Sequence, residues 1–416
     1  MAVENKAYRP LPIRMINNNR KLIRRLGLLN DADTTQAYMQ RASDLCGLDD
    51  YGALDFLPAF EKLLESLRNE ARLNVIGSLS INTYLLQLLR YRLLLQENRK
   101  KNPNITEQSI REPVFILGLP RTGSTILFEL LAQDEAFQSP LTWEVMYPVF
   151  LEDNPAQKYL NQIKSMFSVG FVQKLAPEYR KIHEIGTYLP QECIAIQSLA
   201  FQSIQFHTTY SVDSYQNWLE ASHWSPAYRI HKEFLQHLQF TNRDASTIVR
   251  QWLLKAPGHL YSMETLFACY PDAKIIQTHR NPVDVIPSIA SLSATLRQAF
   301  SDHVSLIEAG KFSAKSWHKA LSRSLLWRDS NSGKESQFLD IHYKDFISDQ
   351  LKTIEQIYQF LEKPFTDTTR ERILKYLNRK PQNRHGGHKY NLVDYGLSLE
   401  EEQMRYQDYI DRFRLL

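Results

Sequence analysis

Residues 114–125 read Val-Phe-Ile-Leu-Gly-Leu-Pro-Arg-Thr-Gly-Ser-Thr, and this stretch decides the fold of the chain. The apolar run from Val114 to Leu117 is short and rich in strand-forming residues, which favours a buried strand of a parallel sheet. Gly118 ends the run, and a helical pattern begins at Thr125. The order strand, glycine-containing turn and helix predicts the first unit of an α/β fold.

Three further strands are predicted on the carboxyl-terminal side of this stretch. They are expected at 248–254, 273–279 and 338–343, and each is followed by a helical pattern. Strands that alternate with helices are typical of a parallel sheet covered on both faces. The sequence therefore predicts a P-loop-like, three-layer α/β fold, in which helices flank a central parallel sheet.

On the amino-terminal side, residues 15–100 have a helical pattern that includes a leucine-rich run, and a Lys-Lys-Asn-Pro-Asn break follows at 100–104. We therefore expect a helical N-terminal region over 1–110 and a second domain over 111–416. Within the second domain, residues 145–245 are predicted to form a helical insertion. Residues 380–395, which contain two adjacent glycines, are predicted to form a loop.

The composition is that of an ordinary globular protein. Of the 416 residues, 43% are hydrophobic and 23% are charged, which is far from a disordered composition. The net charge of +4 is too small an excess to indicate a nucleic-acid partner, although a local basic pocket for an anionic ligand is compatible with it. Cys46, Cys193 and Cys269 are widely spaced, which argues against a disulfide framework and a cysteine zinc site.

Targeting signals are not apparent in the sequence. No segment approaches the roughly 18 uninterrupted apolar residues of a membrane span. Charges and prolines are scattered through residues 1–25, a pattern that differs from a secretory signal. Together with the cysteine usage, these observations predict a cytoplasmic protein.

The stretch from Gly118 to Thr125 has the spacing of a phosphate-binding P-loop. Backbone N–H groups of such a loop, and the start of the following helix, bind an anion. Ser124 stands where nucleoside triphosphate-binding loops have lysine, and Arg121 lies inside the loop. A loop with hydroxyl groups and one guanidinium suits a phosphate ester of lower charge than a Mg²⁺-bound triphosphate.

A second candidate anion site follows the strand at 273–279. Arg280 comes at the carboxyl end of that strand, where α/β folds bind ligands. Ser288 lies eight residues later, about two turns into the next helix. Tyr343, at the end of the last predicted strand, could stack on a base.

These motifs resemble those of the sulfotransferases that use 3′-phosphoadenosine 5′-phosphosulfate (PAPS), in their broad bacterial-type branch. The resemblance covers residues 111–350 and the C-terminal tail. It implies that the loop residues hold the 5′-phosphosulfate group: Arg121, Thr122, Gly123, Ser124 and Thr125. It further implies that Arg280 and Ser288 bind the 3′-phosphate, that Tyr343 lies beside the adenine, and that Arg384 and Lys389 belong to a loop covering the nucleotide.

Sulfuryl transfer by in-line displacement requires charge stabilisation at the leaving oxygens and a general base for the acceptor hydroxyl. By the same resemblance, Arg121 and Lys255 are expected at the leaving oxygens, since Lys255 lies in a segment similar to one of the tyrosyl-protein sulfotransferases. Three side chains remain open as the base: Glu144, Glu192 and His259. No cluster has metal-ligand spacing, so no catalytic metal is expected.

The acceptor is expected to be a small molecule with a hydroxyl group, of apolar, phenolic or sugar character. Aromatic residues of the predicted insertion are candidates for its pocket, or alternatively for a plain helical core: Phe201, Phe206, Tyr210, Tyr215, Trp218 and Trp224. The expected partners include no nucleic acid and no membrane span, and an oligomer is compatible with the sequence. Two alternatives remain, a catalytically silent nucleotide-binding member and a P-loop kinase-like protein.

Overall fold

A parallel sheet lies at the centre of the computed structural model, which describes residues 11–25, 34–150, 154, 156–175, 184–242, 250–380 and 391–415. In the described residues the strands are β1 Val114–Gly118, β2 Phe137–Gln138, β3 Gln251–Lys255, β4 Lys274–His279 and β5 Phe338–His342. Their order in the sheet is β2-β3-β1-β4-β5, and every neighbouring pair is parallel. The predicted parallel sheet is confirmed; the two-residue strand β2 was not predicted, and the predicted start of β3 at 248–249 lies outside the described residues.

Helices surround the sheet. Within the described residues they are α1 Leu11–Asn18, α2 Arg20–Arg25, α3 Thr35–Cys46, α4 Leu57–Asn69, α5 Val75–Lys101, α6 Ser124–Leu131, α7 Thr142–Met146, α8 Ala156–Leu175, α9 Cys193–Gln197, α10 Ile204–Thr209, α11 Asp213–Ala221, α12 Ser225–Thr241, α13 Met263–Cys269, α14 Pro282–Phe300, α15 Leu306–Ser330, α16 Tyr343–Ser348, α17 Gln350–Phe360, α18 Asp367–Arg379, α19 Leu399–Arg405 and α20 Gln407–Phe413. None of these helices combines the length and apolar character needed to cross a bilayer.

Strand β1 is buried on both faces, as its uninterrupted apolar sequence predicts. Val114 and Ile116 belong to the hydrophobic cluster that includes residues of α6, α17 and α18. Phe115 and Leu117 belong to a larger cluster on the opposite face, with residues of α12, α13 and α14. Because successive side chains of a strand point to opposite faces, this division produces three layers and confirms the predicted fold class.

The N-terminal helices pack into the larger cluster. Phe60 of α4 and Leu85 of α5 share it with Leu254 of β3. Arg92 of α5 is buried and donates a hydrogen bond to the carbonyl of Leu199 over 3.0 Å. The predicted boundary near residue 110 therefore lies within one continuous apolar core, and the division into two parts stays a sequence-based prediction.

The register of the sheet brings four chain segments to one edge. Gly118 of β1 pairs with Thr278 of β4, and His279 pairs with His342 of β5. On the other side of β1, Ile116 pairs with Lys255, the last residue of β3. All carboxyl ends of parallel strands lie at the same edge, so the loop after β1 meets the residues that follow β3, β4 and β5 there.

Candidate active site

The loop between β1 and α6 is tightly constrained. Gly123 has φ = 83°, and a Cβ atom there would lie 3.1 Å from Phe346 and 3.3 Å from Tyr343. Arg121 also has positive φ, 72°, which is uncommon for a residue other than glycine and is typical of functional loops. The Thr122 hydroxyl is 2.6 Å from that of Thr278 and donates to the carbonyl of Leu119, so its side chain fixes the loop against β4.

Arg280 and Arg121 meet at this edge of the sheet. Arg280 follows β4 directly, and its Nη1 donates to the carbonyl oxygen of Arg121 over 3.2 Å. Its guanidinium lies 4.4 Å from the centre of the Tyr343 ring, a cation–π contact. Asn281 caps α14 by accepting a hydrogen bond from the N–H of Val283, and this cap fixes where the strand ends and the helix begins.

Ser288 lies in α14 and is 5% exposed. Its hydroxyl has no hydrogen-bond partner among the described residues. Other buried polar atoms share this property, among them Ser324 Oγ and His259 Nε2, so the hydroxyl of Ser288 does not by itself identify a ligand site. The side chain does not belong to the cavity lining described below.

Lys255 links two further elements to the loop. It is 4% exposed, and its Nζ donates to Thr125 Oγ1 over 3.2 Å. It also forms an ion pair with Glu192, which lies immediately before α9. An ammonium group at the start of α6 adds positive charge at the place where the helix dipole already favours an anion.

Glu144 has a structural role at the start of α7. Its Oε2 accepts a hydrogen bond from the N–H of Leu141 over 2.8 Å, as the third residue of the helix in a capping arrangement. Its Oε1 accepts from Asn242 over 2.7 Å. Burial raises the pKa of Glu144 above its ordinary value, although both hydrogen bonds act in the opposite direction. The carboxylate is thus used to cap α7, and the residue does not line the cavity.

His259 is packed inside the protein, behind the sheet edge. It is fully buried, its Nδ1 lies 2.6 Å from the hydroxyl of Tyr228, and its ring contacts Phe115 edge to face at 4.9 Å. Burial lowers the pKa of His259 well below its ordinary value. Like Glu144, it does not line the cavity.

One cavity of about 700 Å³ lies between the loop after β1, Arg280, Lys255 and Glu192. At the sheet edge its polar lining comes from the loop and the neighbouring strand ends: Arg121, Ser124, Thr125, Glu192, Lys255 and Arg280. A second polar group comes from α10, α11, α14 and α15: Gln205, His207, Thr208, Thr209, Gln216, Ser293, Ser313 and Ser316. Its apolar wall comes mainly from α8, α9, α14 and α15 and the segment before α9: Val169, Val172, Ile185, Leu189, Ile194, Ile289, Leu292, Leu296, Phe300, Phe312 and Trp317. Both arginines of the two predicted anion sites therefore face one shared space.

The aromatic residues expected to line the acceptor pocket are elsewhere. Trp218 packs against the larger cluster, and the other five are buried in it: Phe201, Phe206, Tyr210, Tyr215 and Trp224. Phe201, for example, stacks on Phe60 at 4.1 Å. Their rings fill the space between helices, as the alternative of a helical core predicts, and they do not form the pocket. Instead, α14 contributes four apolar residues at helical spacing: Ile289, Leu292, Leu296 and Phe300.

A cluster at the cavity rim was not predicted. Lys380, directly after α18, pairs with Glu129 of α6 and lies 2.7 Å from Glu184. Tyr376 also donates to Glu129, over 3.0 Å. These residues are far apart in sequence and carry no motif, so only the fold brings them together. Arg384 and Lys389 lie outside the described residues.

Among the described ranges, no group of three or more His, Cys, Asp or Glu side chains is arranged to hold a metal ion.

The chain is similar to known sulfotransferases. The curated omega-hydroxy-beta-dihydromenaquinone-9 sulfotransferases Stf3 of Mycobacterium bovis and Mycobacterium tuberculosis are each 23% identical over 320 residues, 72% of this chain and 74% of theirs. The crystal structure of sulfotransferase STF1 from Mycobacterium tuberculosis H37Rv matches with a TM-score of 0.77 and 29% identity, covering 91% of this chain and 99% of that chain. The fold also matches that of STF9 from Mycobacterium avium, with a TM-score of 0.78, 24% identity and coverage of 92% and 97%.

The chain also matches the family as a whole. The profile of the sulfotransferase family matches residues 113–367, a segment that contains β1 to β5, the loop after β1 and both arginines of the cavity. Because this segment is more than half of the 416 residues, the chain belongs to the sulfotransferase family.

Proposed function

We propose that this sulfotransferase takes its sulfuryl group from PAPS and transfers it to the hydroxyl group of a long, apolar alcohol. One observation carries the proposal: Arg121 and Arg280 face the same cavity, and apolar side chains of α8, α9, α14 and α15 form one of its walls. A bisphosphorylated nucleotide needs two cationic sites, and a lipid-like acceptor needs an apolar channel that ends beside them.

The donor site would be built from two parts of the sheet edge. The N–H groups at the start of α6, with Arg121, Ser124 and Thr125, would hold the 5′-phosphosulfate end. Arg280 would bind the 3′-phosphate, while the role of Ser288 stays a sequence-based expectation, because its side chain is buried outside the cavity lining. Gly123 permits the close packing of the loop against Tyr343, beside which we expect the adenine.

PAPS supplies an activated sulfuryl group when bound. In the transfer, the bond between sulfur and the phosphate oxygen breaks while a bond to the acceptor oxygen forms, and the acceptor proton must be removed. Lys255, held beside Thr125, would neutralise the negative charge that develops on the leaving oxygen. Glu192 would accept the proton, since it lines the cavity beside Lys255 and Thr125, where the leaving oxygen is expected, whereas Glu129 and Glu184 are grouped around Lys380.

The acceptor class is supported by the shape of the cavity and by a relative. The residues of α14 that line it extend from Ile289 to Phe300, about 16 Å at 1.5 Å per residue. A wall of this length suits an extended apolar chain better than a single sugar ring. The Stf3 relatives are named for a hydroxylated menaquinone, which is such a molecule.

The test begins with the donor. Adenosine 3′,5′-bisphosphate at about a hundred times its Kd should stabilise the folded protein by about 2.7 kcal/mol, whereas ATP with Mg²⁺ should have little effect. Transfer of labelled sulfate from PAPS to a long-chain isoprenoid alcohol is then measured against a sugar acceptor. Stabilisation by ATP in place of the bisphosphate would contradict the proposed donor. Binding of the bisphosphate without transfer to any alcohol would identify a silent member of the family.

A further inference from the structure

Helix α8 has an apolar surface on the outside of the protein. Five large apolar side chains of this helix are exposed, led by Phe167 at 76% and Tyr159 at 66%, and joined by Met166, Phe171 and Leu160. At 100° per residue, these five positions occupy one continuous arc of about 140° on the helix. Single exposed apolar residues are ordinary, but a contiguous apolar face on one helix marks an interaction surface.

The opposite face of α8 belongs to the protein and to the cavity. Ser165 and Asn161 are buried, and Asn161 donates to the carbonyl of Tyr147 at the end of α7 over 3.0 Å. Val169 and Val172 line the cavity that the acceptor would enter. A single helix therefore separates the apolar cavity from the exposed apolar face.

The charge on α8 has one sign. The helix contains no aspartate and no glutamate, while Lys158, Lys164 and Lys174 are all exposed. Lys164 borders the apolar arc, and Lys174 extends it toward the carboxyl end of the helix. An amphipathic helix with aromatic residues and lysines but no acidic residue is typical of helices that lie in the headgroup region of an anionic bilayer.

We propose that the outer face of α8 docks on an anionic phospholipid membrane, with Phe167 and Phe171 buried among the acyl chains and with Lys164 and Lys174 at the phosphate groups. The choice of a membrane rests on the charge of the helix and on the continuity between this face and the cavity. It also deepens the proposed function, because a long apolar alcohol is dissolved in membranes and would enter the cavity past the valines of α8.

Vesicle sedimentation tests the docking directly. The full chain is mixed with vesicles of phosphatidylcholine and phosphatidylglycerol, or with vesicles of phosphatidylcholine alone. We expect binding to the anionic vesicles that weakens as salt is added. Glu substitution at both Phe167 and Phe171 should lower the partition constant at least about tenfold, whereas F167L/F171L should bind within about threefold of the wild type.

The matched control places the same charges on apolar residues of other helices. Leu326 in α15 and Met404 in α19 are 67% and 74% exposed, and L326E/M404E should sediment like the wild type. The stabilisation by adenosine 3′,5′-bisphosphate is measured for every variant, so that a folding defect or a failure of the proposed donor site is recognised separately from a loss of docking.

Three results would overturn the proposal. The first is a wild-type protein that stays in the supernatant with both kinds of vesicle. The second is F167E/F171E binding vesicles as well as L326E/M404E does. The third is a wild-type dimer in lipid-free solution that F167E/F171E converts to a monomer, which would make this face an interface between two copies of the chain.

Discussion

The guanidinium of Arg280 donates a hydrogen bond to the backbone carbonyl of Arg121, and this contact joins the end of β4 to the loop after β1. The contact uses one of the five N–H donors of Arg280, and the Tyr343 ring covers one face of the guanidinium plane. Its other donors form no hydrogen bond within the described part of the chain and can therefore bind an anion in the cavity. The same contact also fixes the carbonyl of a residue whose backbone has positive φ. A direct hydrogen bond therefore joins the two predicted anion sites.

Arg280→Ala should weaken the binding of adenosine 3′,5′-bisphosphate by about 2–4 kcal/mol, because charge-assisted hydrogen bonds to the 3′-phosphate are lost. Isothermal titration measures the change. Adenosine 5′-phosphate, which lacks the 3′-phosphate, should lose much less affinity. Arg412→Ala is the control, since Arg412 forms an exposed pair with Asp329 at 3.0 Å. Equal losses for both nucleotides would remove Arg280 from the 3′-phosphate site.

Gly123→Ala should impair the loop. The added Cβ would lie 3.1 Å from Phe346 in a backbone conformation that strains any residue with a Cβ atom, at a cost of about 1–2 kcal/mol. We expect a lower melting temperature and at least a tenfold weaker affinity for the bisphosphate, about 1.4 kcal/mol. Gly333→Ala is the control, since a Cβ there meets no atom within 4 Å. Wild-type affinity in Gly123→Ala would mean that the loop does not hold the nucleotide.

The elements around this loop were predictable because their signals are local. The apolar run of β1 and the glycines after it lie within ten residues, and Arg280 directly follows another apolar run. Strand β2 has only two residues and leaves no periodic pattern. The capping role of Glu144 was not predicted, because the capping signature has Ser or Thr three residues before the Glu and Leu141 stands there.

The acceptor wall could not be predicted in the same way. Ile289, Leu292 and Leu296 have the spacing of a buried helix face, and the sequence does not distinguish a face that meets a cavity from one that meets another helix. The aromatic residues of the insertion have the same ambiguity, and they fill the core. The pairing of Lys380 with Glu129 spans 251 positions of the chain, which only the tertiary fold brings together.

Glu192→Gln should reduce kcat by about 10²–10⁴-fold, because the amide cannot accept the acceptor proton. Binding of adenosine 3′,5′-bisphosphate should persist, since Lys255 still donates to Thr125. Single-turnover transfer of labelled sulfate from PAPS separates the chemical step from binding. A kcat close to that of the wild type would exclude Glu192 as the base.

Glu144→Gln is the matched substitution at a buried glutamate that does not line the cavity. Glutamine can still accept the hydrogen bond from the N–H of Leu141, but its NH2 group would face the donor amide of Asn242. We therefore expect a loss of about 1 kcal/mol in the free energy of unfolding, and little change in kcat for the protein that remains folded. Urea denaturation and the same single-turnover assay measure the two quantities. A collapse of kcat with unchanged stability would assign the base to Glu144 instead.

Buried histidines should make the protein less stable in mild acid. Burial lowers the pKa of His237 from its ordinary value of 6.5 to about 4, so the unfolded chain binds a proton between these values and the folded chain does not. The contribution of His237 to the free energy of unfolding is therefore fully present above pH 6.5 and decreases as the pH drops toward 4. At pH 5 about 2 kcal/mol of it is lost. His237→Gln keeps a donor for the carbonyl of Val149, which the histidine Nε2 reaches over 2.9 Å, but cannot titrate. Urea denaturation at pH 8 and pH 5 should show a smaller difference for the variant than for the wild type, and identical differences would mean that His237 is protonated in the folded state as well.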